Sequence, residues 1–137
     1  MHVKQAMTMK VQWIDPDMRL TEVARKMRDF DIGSLPVGEN DRLVGMITDR
    51  DIVCRAVALG RDLAATTARD VMTPGIAYCY DDQDIGEAVH IMEEKQLHRL
   101  PVLNKSKRMV GMLSLGDLGR NCSHELSGEV VEAVSRR

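Results

Sequence analysis

The chain has 137 residues, a net charge of −2, 29% charged residues and only 3% aromatic ones. Acids and bases are mixed along it without a basic block, which argues against general nucleic-acid binding, and so few rings leave no stacking platform for single strands. No 18-residue apolar run and no signal-peptide layout are seen, so the expectation is a cytoplasmic protein with neither nucleic acid nor membrane as partner.

In chain order, a short β-like run covers 11–14. Leu20, Val23, Ala24 and Met27 then recur at i, i+3, i+4 and i+7 and predict an amphipathic helix, with Asp17 upstream as a cap or first-turn acid. Strands are expected over 34–37 and 43–48, joined by Gly38-Glu39-Asn40-Asp41. A second helix starts at Asp49, with Ile52, Val53, Ala56, Val57 and Leu59 apolar, and stops near Gly60. The order then recurs. A β-like run over 76–80 precedes a helix marked by Ile85, Ala88, Val89 and Met92, with Asp82 upstream. Strands over 99–103 and 109–114 flank the turn 104–107, and a helix begins at Leu115 and is expected to break early at Gly119. Near the end, Glu129, Val130, Val131, Ala133 and Val134 suggest a short extra helix, stable only if it docks.

The recurrence is a duplication. Ala6-Met7-Thr8, Ile32-Gly33-Ser34-Leu35-Pro36-Val37 and Val44-Gly45-Met46-Ile47-Thr48-Asp49-Arg50-Asp51-Ile52 are answered by Val71-Met72-Thr73, Leu97-His98-Arg99-Leu100-Pro101-Val102 and Val110-Gly111-Met112-Leu113-Ser114-Leu115-Gly116-Asp117-Leu118. Met7 to Pro36 is the same span as Met72 to Pro101, but Pro101 to Gly111 is one residue longer than Pro36 to Gly45. The expected fold is α/β (α+β), two tandem β-α-β-β-α repeats over 1–60 and 70–122, with 61–69 as linker and 123–137 as tail. Each repeat alone would bury little, so the two should share one core with pseudo-two-fold symmetry and leave related clefts at the seam.

Cys54, Cys79 and Cys122 are widely spaced, and His2, His90, His98 and His124 lack metal-ligand spacing, so neither a disulfide framework nor a metal site is expected. No nucleophile–base pair, P-loop or G-x-G-x-x-G occurs, so no catalytic residue is assigned and no enzyme is expected. Thr48-x-x-Asp51 and Ser114-x-x-Asp117 are the sharpest local motifs. On spacing alone each is a capping-box-like helix start. Arg50, where the second copy has Gly116, either adds a contact to an anion or pairs with Asp49 or Asp51. Met46 and Met112 lie two residues before the hydroxyls, on the same strand face, and suit ordinary core packing.

With its Met-Thr starts, Pro-Val strands, Gly-x-x-Thr/Ser-x-x-Asp junctions and duplication, the stretch 3–121 resembles a pair of cystathionine-β-synthase-type (CBS) domains, a Bateman module. The resemblance implies a stand-alone regulatory protein that binds an adenosine ligand such as AMP, ADP, ATP, NAD or S-adenosylmethionine in clefts between the repeats, with no catalytic cofactor. It also implies a homodimer and a separate effector protein that reads a ligand-driven shift. By the same resemblance Thr48, Asp51, Ser114 and Asp117 hold the ribose, where a carboxylate suits a vicinal diol. His98 and Arg99, where copy one has Gly33-Ser34, touch phosphate, with Arg50 as a further candidate. Met46, Met112, Ile14, Cys79 and Tyr80 line the adenine slot, with Asp15 beside them. The alternative is an interaction scaffold with vestigial clefts and no nucleotide dependence.

Overall fold

The computed structural model describes residues 1–9 and 11–135. The chain forms two compact units. One is Gln12–Ile76; the other joins Met1–Val11 to the chain from Ala77 onward. The division in space is therefore offset from the repeat in sequence, because the first residues of copy one fold with copy two.

In the unit Gln12–Ile76, helix α1 (Leu20–Phe30) buries Leu20, Val23 and Met27 and leaves Ala24 exposed. Asp31 ends it in the left-handed conformation at φ 52°. Strands β1 (Ser34–Glu39) and β2 (Arg42–Thr48) form an antiparallel hairpin. Its two-residue turn, Asn40-Asp41, has positive φ at both positions, which matches the strand twist and suits Asn and Asp. Helix α2 (Asp49–Ile52) continues as a π-helical turn over Val53–Val57. Helix α3 (Ala68–Val71) leads into the short strand β3 (Thr73–Pro74), which pairs antiparallel with β2. The expected run 11–14 contributes only a bridge from Ile14 to Val37. The core gathers Ile14, Leu20, Val23, Leu35, Val37, Ile47, Ile52, Ala56, Ala68 and Val71.

In the other unit a 3-10 turn (Val3–Gln5) buries Val3. Strand β4 (Cys79–Tyr80) runs parallel to β5 (Arg99–Leu103), and β5 pairs antiparallel with β6 (Met109–Ser114). The extra turn residue is absorbed by Asn104, whose side-chain oxygen accepts from Ser106 and Arg108 N–H, both at 3.0 Å. Helix α4 (Ile85–Lys95) is capped by Asp84, which accepts Gly86 N–H at 3.0 Å, and ends at Gln96 with φ 54°. Asp17 and Asp82 are thus not the caps: Asp17 meets Arg69 at 3.6 Å and Asp82 meets Lys105 at 3.7 Å. Helix α5 (Leu115–Asn121) runs through Gly119 without a break, since the hydrogen-bond ladder needs no side chain there. Helix α6 (His124–Val134) forms in the expected tail, buries Val130 and Val134, and packs on α4 and α5. The tail's last positions, 136 and 137, lie outside the described residues. Among the described residues no helix is long and apolar enough to cross a membrane.

Two glycines explain how the Met-Thr segments seat. Thr8 bridges antiparallel to Met112 of β6, and Thr73 pairs with Met46 of β2. A Cβ on Gly111 would come within 2.8 Å of both Met7 Sδ and the Thr8 carbonyl oxygen. One on Gly45 would come within 2.8 Å of Met72 Sδ and 2.9 Å of the Thr73 carbonyl oxygen. Each Met-Thr segment therefore lies against the glycine of the other copy's strand, an approach that only a missing side chain permits.

Candidate functional site

The site in the second unit is built at the β6–α5 junction. Ser114 is extended at the helix N-cap, and its hydroxyl accepts Asp117 N–H at 3.1 Å while Asp117 Oδ2 accepts Ser114 N–H at 2.9 Å. This capping box turns the Asp117 side chain back toward the strand end. Asp117 is only 3% exposed. Its second oxygen, Oδ1, accepts the Thr8 hydroxyl at 3.0 Å and the Arg120 guanidinium at 2.6 Å. In front of this cluster opens a cavity of about 440 Å³, lined by Thr8, His98, Arg99, Ser114, Leu115, Gly116 and Arg120. His98 and Arg99 are exposed at the start of β5, and Arg99 stands opposite Ser114 in the ladder. The wall therefore combines two guanidiniums and an imidazole with two hydroxyls, a set that suits a phosphorylated, hydroxyl-bearing ligand.

The first unit repeats the frame with different chemistry. Thr48 and Asp51 form the same capping box, at 3.0 and 2.9 Å. Asp51 is freer than Asp117: its nearest cation among the described residues is Arg55, at 4.0 Å, and Arg55 also donates to the Val71 carbonyl. Where copy two has His98, Gly33 faces an acid, since a Cβ there would sit 2.9 Å from Asp49 Oδ2. Ser34 stands opposite Thr48 with its hydroxyl buried and without a hydrogen-bond partner among the described residues. The Arg50 side chain is exposed, and it is the backbone N–H of Arg50 that meets Asp49, at 2.8 Å.

The expected adenine-slot residues divide. Met112 lies beside Thr8 and Met46 beside Thr73, both opposite the proline of the hairpin. Ile14 is core, at 3% exposure, and Asp15 accepts Asp17 N–H in a surface turn. Cys79 is wholly buried, and burial pushes its thiol up to about 12. Tyr80 is partly exposed and stacks edge-on against Tyr78 at 5.6 Å; the hydrogen bond with Tyr78 raises its pKa. Two site residues went unmarked in the sequence. Thr8 comes from the other repeat, and Arg120 follows the motif; the latter's signal was its i,i+3 spacing from Asp117.

A second cavity, about 400 Å³, lies against α4 and α6 and is lined by His90, Glu93, Glu94, Glu129, Glu132 and Ala133. Its four carboxylates make it unfit for phosphate. Among the described residues no three His, Cys, Asp or Glu side chains are grouped to hold a metal ion.

Comparison with known proteins gives the same frame. Residues 3–57 and 68–122 each match the CBS domain. The chain is similar to hypoxic response protein 1 of Mycobacterium tuberculosis, 39% identical over 116 residues, covering 84% of this chain and 80% of that protein. It is similar to the CBS domain-containing protein YhcV of Bacillus subtilis, 34% identical over 136 residues, covering 98% and 96%. A solved structure of hypoxic response protein 1 with two coordinated zinc ions superposes with a TM-score of 0.82 at 36% identity, covering 90% of this chain and all of that one. Two more distant structures share the fold. One, CBSX2 in complex with AMP, is 22% identical with a TM-score of 0.76 and covers 87% of this chain and 93% of that one. The other, a CBS domain pair with 5′-methylthioadenosine and S-adenosyl-L-methionine, is 23% identical with a TM-score of 0.76 and covers 88% and 98%.

Proposed function

The chain belongs to the CBS domain family, and from that premise we propose that it is a non-enzymatic regulatory protein that senses an adenosine nucleotide. The observation that carries this reading is the cavity over Asp117, where Arg99, His98 and Arg120 gather beside the Ser114 and Thr8 hydroxyls. Ribose is assigned to Ser114 and Asp117, and to Thr48 and Asp51 in the other unit. Phosphate is assigned to His98 and Arg99. Met112 and Tyr80 flank the base in one unit and Met46 in the other. The AMP and S-adenosyl-L-methionine complexes of structural relatives support an adenosine ligand. The Gly33–Asp49 arrangement gives the first-unit site no cation where copy two has His98, so it favours the less charged ligand.

Occupancy is read by a separate effector, and the protein works in the cytoplasm as a homodimer. A thermal-melting panel with AMP, ADP, ATP, NAD and S-adenosylmethionine tests the reading. A ligand at 100 times its Kd stabilises by about 2.7 kcal/mol, several degrees for a chain of this size. A rise with at least one nucleotide supports the sensor. No rise with any of them at millimolar concentration supports a scaffold with vestigial clefts.

A further inference from the structure

We infer that Arg120 is a latch on the second-unit site, held on Asp117 and transferred to the phosphate of an arriving nucleotide. The inference rests on the nucleotide-binding reading and adds how that site tells phosphorylated from unphosphorylated ligands.

Both oxygens of the Asp117 carboxylate are engaged. Oδ2 holds Ser114 N–H, and Oδ1 holds Thr8 and Arg120. A carboxylate has about four acceptor positions and three are taken here, so a ribose diol, which donates two O–H groups, seats both only when one of these partners leaves. Ser114 N–H is fixed by the helix start, and Thr8 has its backbone held by the bridge to Met112, so that only its hydroxyl can turn. Arg120 is the partner able to move: its side chain is 67% exposed, against 4% for Asp117. The guanidinium also lies across Gly116, where a Cβ would come 3.2 Å from one of its terminal nitrogens. Copy one has Arg50 at the Gly116 position and Cys54 at the Arg120 position, so the arrangement belongs to the second site alone.

The exchange is nearly even in kind. One charge-assisted bond, to carboxylate, is replaced by another, to phosphate, while Arg120 already shares its cavity with Arg99 and His98. A nucleoside without phosphate must break the Arg120–Asp117 bond and gives the guanidinium nothing in return. Arg120 therefore raises the preference for a phosphorylated ligand twice over, by opposing adenosine and by holding AMP.

The test is calorimetry of the full chain with AMP and with adenosine, in an Asp51→Asn background that silences the other site, with and without Arg120→Met. The latch predicts opposite changes: adenosine affinity rises roughly fivefold and AMP affinity falls by a similar factor, each the worth of about one exposed charge-assisted bond. Arg120→Gln repeats the measurement should the methionine variant melt early. Equal losses for both ligands, or an unchanged ratio, overturn the latch and leave the nucleotide reading standing. Absence of binding in the Asp51→Asn background, with binding to the wild-type chain, overturns it for this site. Absence of AMP and adenosine binding in every form, wild type included, overturns the latch, and the further absence of ADP, ATP and NAD binding to the wild-type chain overturns the nucleotide reading as well.

Discussion

The Thr8 hydroxyl donates a 3.0 Å hydrogen bond to Asp117, a residue 109 positions later in the chain. This bond, with the Arg120 contact, gives Asp117 a structural load that Asp51 does not carry. Asp117→Asn removes the charge from three hydrogen bonds at a site 3% exposed, whereas Asp51→Asn disturbs a helix cap and a 4.0 Å ion pair. Urea unfolding is expected to show a loss of about 1.5–3 kcal/mol for Asp117→Asn, toward the low end because Arg120 is exposed, and under about 1 kcal/mol for Asp51→Asn. Equal losses would show that the Thr8 and Arg120 contacts contribute nothing to folding.

Glycine substitutions separate close approach from mere helix propensity. Gly111→Ala forces a Cβ against the Thr8 carbonyl and Met7 sulfur, and is expected to cost about 1–3 kcal/mol as an overpacked site. Gly119→Ala meets nothing within 4 Å and sits inside α5, so it should stabilise by about 0.5–1 kcal/mol. Thermal melting of the two variants checks both signs.

The duplication, the two hairpins and the helices α1 and α4 were legible because their signals are local: period-3.6 apolar residues, Pro-Val strands, and the turn-rich Gly38-Glu39-Asn40-Asp41, of which the structure leaves only Asn40-Asp41 in the turn. The capping boxes at Thr48 and Ser114 were legible for the same reason. The destination of Met7-Thr8 was not, since pairing with β6 is a contact across most of the chain. Its trace was Gly111, a glycine inside an apolar strand. Nor did the spacing show that Asp117 would be hydrogen-bonded on both oxygens while Asp51 Oδ1 meets only the distant Arg55, at 4.0 Å among the described residues, because that difference comes from Arg120 and Thr8, outside the motif.

Thiol labelling tests the packing of β4. Cys54 is exposed, Cys122 is half-buried with its pKa raised by burial, and Cys79 is buried with its thiol pushed up to about 12. At pH 8 an alkylating reagent should modify Cys54 first, Cys122 more slowly and Cys79 only on unfolding, as read by mass spectrometry. The linkage has a definite sign. Between the ordinary thiol value of 9.0 and about 12 the unfolded chain has lost the Cys79 proton and the folded chain has not. Cys79 therefore makes stability fall as pH rises through that window, and Cys79→Ala should flatten the fall.

A homodimer is expected from the helix that follows Thr48. Ile52 and Ala56 face the core, while Val53, Val57 and Leu59 are 56%, 54% and 67% exposed. Three apolar side chains on the outer side of this short helical segment and the turn that follows it need a cover. Light scattering should return about twice the 15.4 kDa chain mass, and Val57→Asp should return the single mass. A monomer from the unaltered chain would contradict the assignment.

The central claim, that the cavity over Asp117 receives an adenosine nucleotide with its phosphate on the His98–Arg99 side, is tested most directly by calorimetry of AMP and adenosine on wild type and Arg99→Ala. The account predicts saturable AMP binding by wild type and a greater loss of AMP than of adenosine affinity in the variant. It also predicts a flatter salt dependence once that exposed charge is gone. Equal losses for the two ligands would show that Arg99 shapes the pocket without holding phosphate, and the absence of any heat at millimolar AMP, ADP, ATP and NAD would contradict the nucleotide site itself.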